Sequence, residues 1–293
     1  MKSILALVLV SMTLCNSIIN QKFVDQLKQI NVPYEVYEPE ENPFRDYTDE
    51  EIQNLLGTKI LSVVPKHKKV YTKVNDGYDF REKHPECMLG VRNQLSCGSC
   101  WAFGGVTALQ QRFCKKSGGN QKPMLAPQDP VSCDEANLAC NGGILLLHWQ
   151  YLEEVGVVEE ECFPYSSGEG DVEDCITKCK NGAEWKKYKT DGFDNFDDAD
   201  DIKSDVALNG PLETQFQVYA DFMSYKGGIY EYKYGELRGG HAVTILGYGN
   251  ENGVDYWICQ NSWGPKWGEK GFFRIKMGEV GIDSNAFGGH PIL

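Results

Sequence analysis

Of the eleven cysteines in this 293-residue chain, one is Cys15 and the other ten fall between Cys87 and Cys259. Cysteines at that density read as a disulfide framework made in an oxidising compartment. Residues 18 to 73 hold no cysteine and no tryptophan, so two unlike segments meet near residue 75. Parity adds a constraint. If one of the ten is a nucleophile it must stay reduced, and an even number of bridged cysteines then leaves a second thiol free.

The N-terminus agrees with an oxidising route. Lys2 supplies a positive charge, Ile4 to Leu14 is apolar apart from Ser11 and Thr13, and Cys15-Asn16-Ser17 resembles a cleavage site. Residues 1–17 are expected to be a signal peptide, too short to span a bilayer. No later stretch approaches 18 apolar residues, so a soluble product without a membrane span is expected. The net charge of −13 and pI near 4.9 argue against nucleic acid or an anionic membrane as partner. The acidity serves solubility first, and would also suit an acidic compartment. The sequence has no Asn-x-Ser/Thr sequon, so sorting by an N-linked glycan is not expected. The length allows one large domain or two modest ones.

Phe23, Leu27 and Ile30 recur at helical spacing in residues 18–73, and Thr48 with Glu51 forms a capping box that starts a second helix. A Pro- and Glu-rich connector, Pro33 to Pro43, separates them, and the basic run 65–69 follows. Two helices that cannot build a core alone suggest a pro-segment docked on the domain 74–293; an ordinary N-terminal subdomain is the alternative. The mature N-terminus is expected between Val70 and Asp79.

Residues 101–113 carry apolar side chains at 102, 106, 109 and 113, and 144–155 forms a second helix. His241 to Leu246, Tyr256 to Cys259 and Gly271 to Ile275 are β-branched and aromatic runs bounded by glycine, which predicts strands. Helices followed by strands predict an α+β fold with two lobes. The Asp-rich stretch 194–205 reads as a solvated loop and helix start.

Within Gln94-Leu-Ser-Cys-Gly-Ser-Cys100-Trp-Ala-Phe103, Cys100 stands at the start of the first helix. Unpaired N–H groups and the helix dipole favour an anion there, and the thiolate is the nucleophilic form. A Cys97/Cys100 redox pair would need a βαβ context, and half a zinc site would need a second ligand pair; a disulfide role for both cysteines is the third alternative. Among five histidines, His241 follows two glycines and opens an apolar strand. Asn261, beyond the next strand, can accept the far ring N–H and fix the tautomer, with Trp263 as cover.

Cys97-Gly-Ser-Cys100-Trp101 resembles the papain family of cysteine proteases, whose His and Asn follow roughly 130–150 residues later. His241 lies 141 positions after Cys100, and Asn261, at 161, slightly overshoots. The resemblance runs from about Tyr78 to Gly288. It implies a papain-like two-lobe fold with a helical left lobe and a β-barrel-like right lobe. It implies Cys100 as nucleophile, His241 as general acid/base, Asn261 as its orienting partner, and Gln94 as oxyanion donor with the Cys100 N–H. It also implies that the Gly142-Gly143 glycines pair with substrate backbone, and requires no cofactor or metal.

Tyr78 to Cys87 is similar to the start of mature cathepsin B, and Leu55-Leu56-Gly57-Thr58 stands where cathepsin B has a Cys-Gly-Thr in its cleft. The resemblance implies bridges Cys87–Cys114, Cys97–Cys140, Cys133–Cys175 and Cys162–Cys179, with Cys100 and Cys259 free. It implies a pro-segment that runs through the cleft backwards and inhibits. Two departures follow. Cys162 passes almost directly to Cys175, and no histidine lies between 149 and 240, so the histidine-bearing occluding loop is missing. An endopeptidase with little peptidyl-dipeptidase activity is expected. Asn285 stands where cathepsin B has a glutamate under the pocket for P2, the substrate residue two before the cut. With Leu145, Gln215, Gly240, Ala242 and Trp263 also lining the substrate site, an apolar P2 is expected, unless nearby Asp283 compensates. An inactive homologue and a peptide ligase using the same acyl-enzyme are the other readings. Protein and peptide substrates, a monomer, and a lysosome-like vacuole or the exterior are expected.

Overall fold

The computed structural model describes residues 18–61 and 76–293. The signal peptide, the basic run 65–69 and most of the expected maturation region lie outside the described residues. Seven helices are present among those described: α1 Gln21–Gln29, α2 Asp49–Asn54, α3 Phe80–Lys83, α4 Cys100–Lys116, α5 Gln128–Cys133, α6 Leu145–Glu154 and α7 Ala199–Leu208. The nine strands are β1 Tyr34–Val36, β2 Tyr78–Asp79, β3 Thr190–Phe196, β4 Leu212–Tyr219, β5 Tyr225–Tyr230, β6 Leu237–Glu251, β7 Val254–Gln260, β8 Phe272–Lys276 and β9 Ala286–Pro291. None of the described helices is long and apolar enough to cross a membrane.

The fold is the expected α+β one. Helix α4 is buried along nearly its whole length and centres one core with Trp101, Val106, Leu109, Phe113, Trp149 and Leu152. The second core lies against the sheet, around Phe216, Phe222, Trp257, Trp267 and Phe273. The sheet runs β1-β5-β8-β7-β6-β4-β9-β3, with β2 on β6. It is an open path, which corrects the barrel-like description of the right lobe. Its end strands, β1 and β3, each pair on one side, and β1 comes from the N-terminal segment.

Four disulfides join Cys87–Cys114, Cys97–Cys140, Cys133–Cys175 and Cys162–Cys179, and Cys100 and Cys259 are free and buried. The Thr48 capping box forms in both directions: Glu51 N–H donates to Thr48 Oγ1 at 3.1 Å, and Thr48 N–H to Glu51 Oε2 at 2.7 Å. In α1, Val24 and Leu27 are buried while Ile30 is exposed. The helix ends at Gln29, so the expected stripe slips by one position.

The Asp-rich stretch is less solvated than its composition suggests. Residues 190–196 form β3, Asp198 caps α7, and Asp205 is fully buried. Arg112 Nη1 and Nη2 both donate to Asp205 Oδ2 at 2.8 Å, and Nη1 also meets the Gly210 and Pro211 carbonyls. Asp205→Ala should cost about 3–5 kcal/mol in urea unfolding, because it strands a buried cation. The Arg112→Met/Asp205→Leu double variant should recover most of that; a single-variant loss under about 1 kcal/mol would refute the assignment.

Candidate active site

Cys100 is the first residue of α4, and the N-cap, Ser99, makes no capping bond with its side chain. Its hydroxyl is paired with the Tyr165 hydroxyl at 3.0 Å. The Ala102 and Phe103 N–H groups donate to the Ser99 carbonyl at 2.8 and 3.1 Å, which leaves those of Cys100 and Trp101 for a ligand or an anion. The Trp101 indole holds this turn to the Ala139 carbonyl at 3.1 Å, and the Cys97–Cys140 bridge ties the preceding loop to the 139–143 turn.

His241 comes from β6, which packs across α4; Thr244 Oγ1 donates to the Gly104 carbonyl at 3.1 Å. His241 Nε2 faces Asn261 Oδ1 at 2.7 Å. An amide oxygen accepts only, so Nε2 carries the proton and Nδ1 is the free basic nitrogen. Nδ1 has no hydrogen-bond partner among the described residues. The Trp263 ring stacks on the imidazole at 4.5 Å, covering the His241–Asn261 bond. Asn261 Oδ1 is held further by the Ser262 N–H at 2.8 Å, and Ser262 Oγ donates to Gln94 Oε1 at 2.7 Å. That pairing turns the Gln94 Nε2 donor toward the cleft, where it meets the Leu55 and Cys97 carbonyls at 3.0 and 2.8 Å.

The cleft is filled by residues 55–61. Thr58 bridges its two walls: its N–H donates to the Gly240 carbonyl at 3.0 Å, while the Gly143 N–H donates to Gly57 O at 2.9 Å and Lys59 N–H to Gly143 O at 2.8 Å. Thr58 is thereby antiparallel to Gly240 and parallel to Gly143. Such close backbone approach requires glycine. A Cβ on Gly142, whose φ is +108°, would lie 2.0 Å from Gly57 O, and one on Gly240 2.3 Å from Thr58 O.

Thr58 Oγ1 lies 3.1 Å from Cys100 Sγ. Burial raises the thiol's pKa above its ordinary value, against the opposing influence of the Thr58 hydroxyl and the N–H groups of Ala242, Gly57 and Trp101. Burial also lowers His241 to about 4, against Asn261 and the Leu55 carbonyl. While the cleft is covered, burial thus disfavours the charged form of each group.

Gln215 pairs with Ala242 across β4 and β6, and Leu145 opens α6. Leu61 packs on the core that includes Leu145 and Ala242. Asn285 Oδ1 accepts from Asn195 Nδ2 at 2.8 Å, and Asp283 Oδ2 accepts from Gly278 N–H at 2.7 Å and Trp257 Nε1 at 3.3 Å. Asp283 is thus held in place by a main-chain and an indole donor.

The sequence reading set Leu55–Thr58 against the cleft but did not single out the Thr58 hydroxyl as a partner of the sulfur. It also missed Glu213, fully buried under the first turns of α4, where it accepts from Trp149 Nε1 at 2.8 Å. Burial keeps its carboxyl protonated well above the usual range. A charged residue three before the strand aromatic Phe216 carries no period-2 signal of that burial.

The family model described as "Papain family cysteine protease" matches residues 74–290. The chain belongs to the papain family of cysteine proteases. The protease is 40% identical over 277 residues to "Cathepsin B-like CP3" of Giardia intestinalis, covering 91% of this chain and 92% of that one. It is 42% identical over 227 residues to "Cathepsin B-like CP2" of the same organism, covering 74% of each. Among solved structures, "proCathepsin B S9 from Trypanosoma congolense" superposes with a TM-score of 0.87 at 27% identity, covering 94% of this protease and 99% of that chain. The protease is thus cathepsin B-like, and solved proforms share its arrangement of an N-terminal segment on the catalytic domain.

Proposed function

We propose that this chain is the zymogen of a cysteine endopeptidase. The observation that carries the proposal is the convergence of Cys100 Sγ, the His241–Asn261 pair and the Gln94 amide on residues 55–58 in the cleft. Once the cleft is free, His241 Nδ1 takes the thiol proton and the thiolate attacks the scissile carbonyl carbon. Gln94 Nε2 and the Cys100 N–H hold the developing oxyanion. The imidazolium gives its proton to the leaving amine. Water, activated by the same imidazole, then hydrolyses the thioester and restores the thiol.

Residues 18–73 act as the removable inhibitor. What they present to the sulfur is the Thr58 hydroxyl, at 3.1 Å, and the Gly57 N–H, and neither group can acylate the thiol. The route through a secretory compartment to an acidic vacuole or the exterior fits four disulfides on one chain.

A neutral pocket wall of Leu145, Gln215, Ala242 and Asn285, with Leu61 packed against that core, supports an apolar P2. An arginine there would bury an unpaired charge, at a cost of a few kcal/mol. Substrates with P2 Leu or Val should be cleaved at least about tenfold better than P2 Arg ones. Peptides with a free C-terminus should lose dipeptides slowly, because residues 162–179 pass through a short turn at Ser167–Glu169 and carry no histidine. A P2 library and C-terminal product analysis, with Cys100→Ala as control, test both; preferred P2 Arg or rapid dipeptide release would contradict the specificity.

A further inference from the structure

The face that the N-terminal segment covers away from the cleft is built as a binding site in its own right. β1 pairs antiparallel with β5, setting Tyr34 opposite Gly228, Glu35 opposite Gly227 and Val36 opposite Tyr225. Tyr37 carries the contact on: its N–H donates to the Ser224 carbonyl at 2.8 Å and its hydroxyl to the Lys266 carbonyl at 3.1 Å. Between these, the Tyr34 ring enters a slot beside the rings of Tyr230 and Tyr225, at 5.2 and 6.0 Å. Its hydroxyl donates to Asp221 Oδ2 at 3.0 Å.

Asp221 is fully buried at the base of that slot. It also accepts the Tyr230 hydroxyl at 2.7 Å and the N–H groups of Lys233 and Tyr234 at 3.0 and 3.2 Å. Those three donors belong to the catalytic domain. Loss of the N-terminal segment therefore removes the phenol but leaves the carboxyl held in place. It also bares an edge strand and the aromatic surface around Phe222, Tyr225 and Trp263. A free edge next to a large apolar patch marks a docking face, and strand addition takes affinity from the main chain and selectivity from side-chain pockets.

We propose that in the activated enzyme this face is an exosite that captures protein substrates by an extended, tyrosine-bearing segment, added as a strand to β5 with its phenol on Asp221. The proposal rests on the protease reading above. Tyrosine is selected over phenylalanine because its hydroxyl adds a fourth donor to the buried Asp221 carboxyl, a hydrogen bond that a bare ring cannot make. Occupancy acts on substrate capture, away from Cys100, so it alters KM and leaves the chemical step alone.

Three fluorogenic peptides with one scissile sequence test this on the activated enzyme. The first is the bare sequence. The second carries residues 32–38 of this chain through a flexible Gly/Ser linker, and the third carries the same segment with Tyr34→Phe. Linking raises the local concentration of the scissile site, so kcat/KM should rise about tenfold or more for the tyrosine peptide. The whole gain should lie in KM, and the phenylalanine peptide should lose most of it. The free segment should compete with the linked peptide and leave the bare one untouched. Equal kcat/KM for all three overturns the proposal, as does a gain that survives Tyr34→Phe unchanged. So does a dimer in sedimentation that the free segment does not dissociate, since a second copy then owns the face. If no peptide is hydrolysed, the protease reading has failed instead. Fluorescence anisotropy of the labelled segment, on the chain freed of its N-terminal segment by limited proteolysis, still decides the exosite.

Discussion

The Cys100→Ala chain should lose peptide hydrolysis by on the order of 10⁴-fold or more and should keep its N-terminal segment on acidification. The sulfur supplies the bond-forming electron pair, and no other nucleophile replaces it in the cleft. Cys259 is the other free thiol among the described residues, but it is fully buried and its pKa is raised well above the ordinary thiol value by that burial. The fold should survive the substitution, because alanine removes a single sulfur atom from a helix N-terminus that Trp101 and Ala102 keep anchored in the α4 core. Thermal unfolding of the variant should therefore stay within a few degrees of the parent. Turnover of a peptide substrate, read with N-terminal processing on gels, checks both halves. Equal turnover in variant and parent would remove Cys100 from the mechanism, and with it the protease reading of this chain.

What could be read from the sequence divides along a physical line. Helix α4 was legible because a buried helix declares its face every three to four residues, and β6, β7 and β8 because their apolar runs are bounded by glycine. The site was legible because its members lie in short, compositionally unusual segments: a cysteine before a helix, a histidine after two glycines, an asparagine beside tryptophan. Strand β4 was not read, because Leu212-Glu-Thr-Gln-Phe216 mixes polar and apolar residues. It is nonetheless buried on both faces: Glu213 Oε2 accepts from Trp149 Nε1, Thr214 Oγ1 donates to main-chain carbonyls, and Gln215 pairs with Ala242 in the β6 ladder. Asp205 and Asp221 were lost for the same reason. A carboxylate reads as solvated until a distant Arg112 or Tyr34 is brought to it. Such partners are 93 and 187 positions away for Arg112 and Tyr34, and local pattern holds no record of them.

Iodoacetamide should alkylate Cys100 at pH 6 at least about a hundred times more slowly in the intact chain than in the activated enzyme. Two causes act together. Cys100 is fully covered by residues 55–58, and the covered thiol holds its proton because burial has raised its pKa. The sign of the pH dependence separates them. In the intact chain the thiolate appears only as pH rises through the raised value, so the alkylation rate should climb steadily from pH 6 to 9. His241 gives no help there, since its pKa, pushed down to about 4, keeps the ring neutral over that whole range. Removing residues 55–58 admits water and exposes the α4 N-terminus to the sulfur. Proton transfer from Cys100 to His241 Nδ1 then lies within one pair of groups and consumes no proton from solution. The activated enzyme should accordingly react at a nearly constant rate between about pH 5 and 8. Mass spectrometry should find one label, on Cys100, with Cys259 unmodified in both forms. Parallel pH profiles in the two forms would show that the N-terminal segment only blocks access, and that the neutral pair is not part of the inhibition.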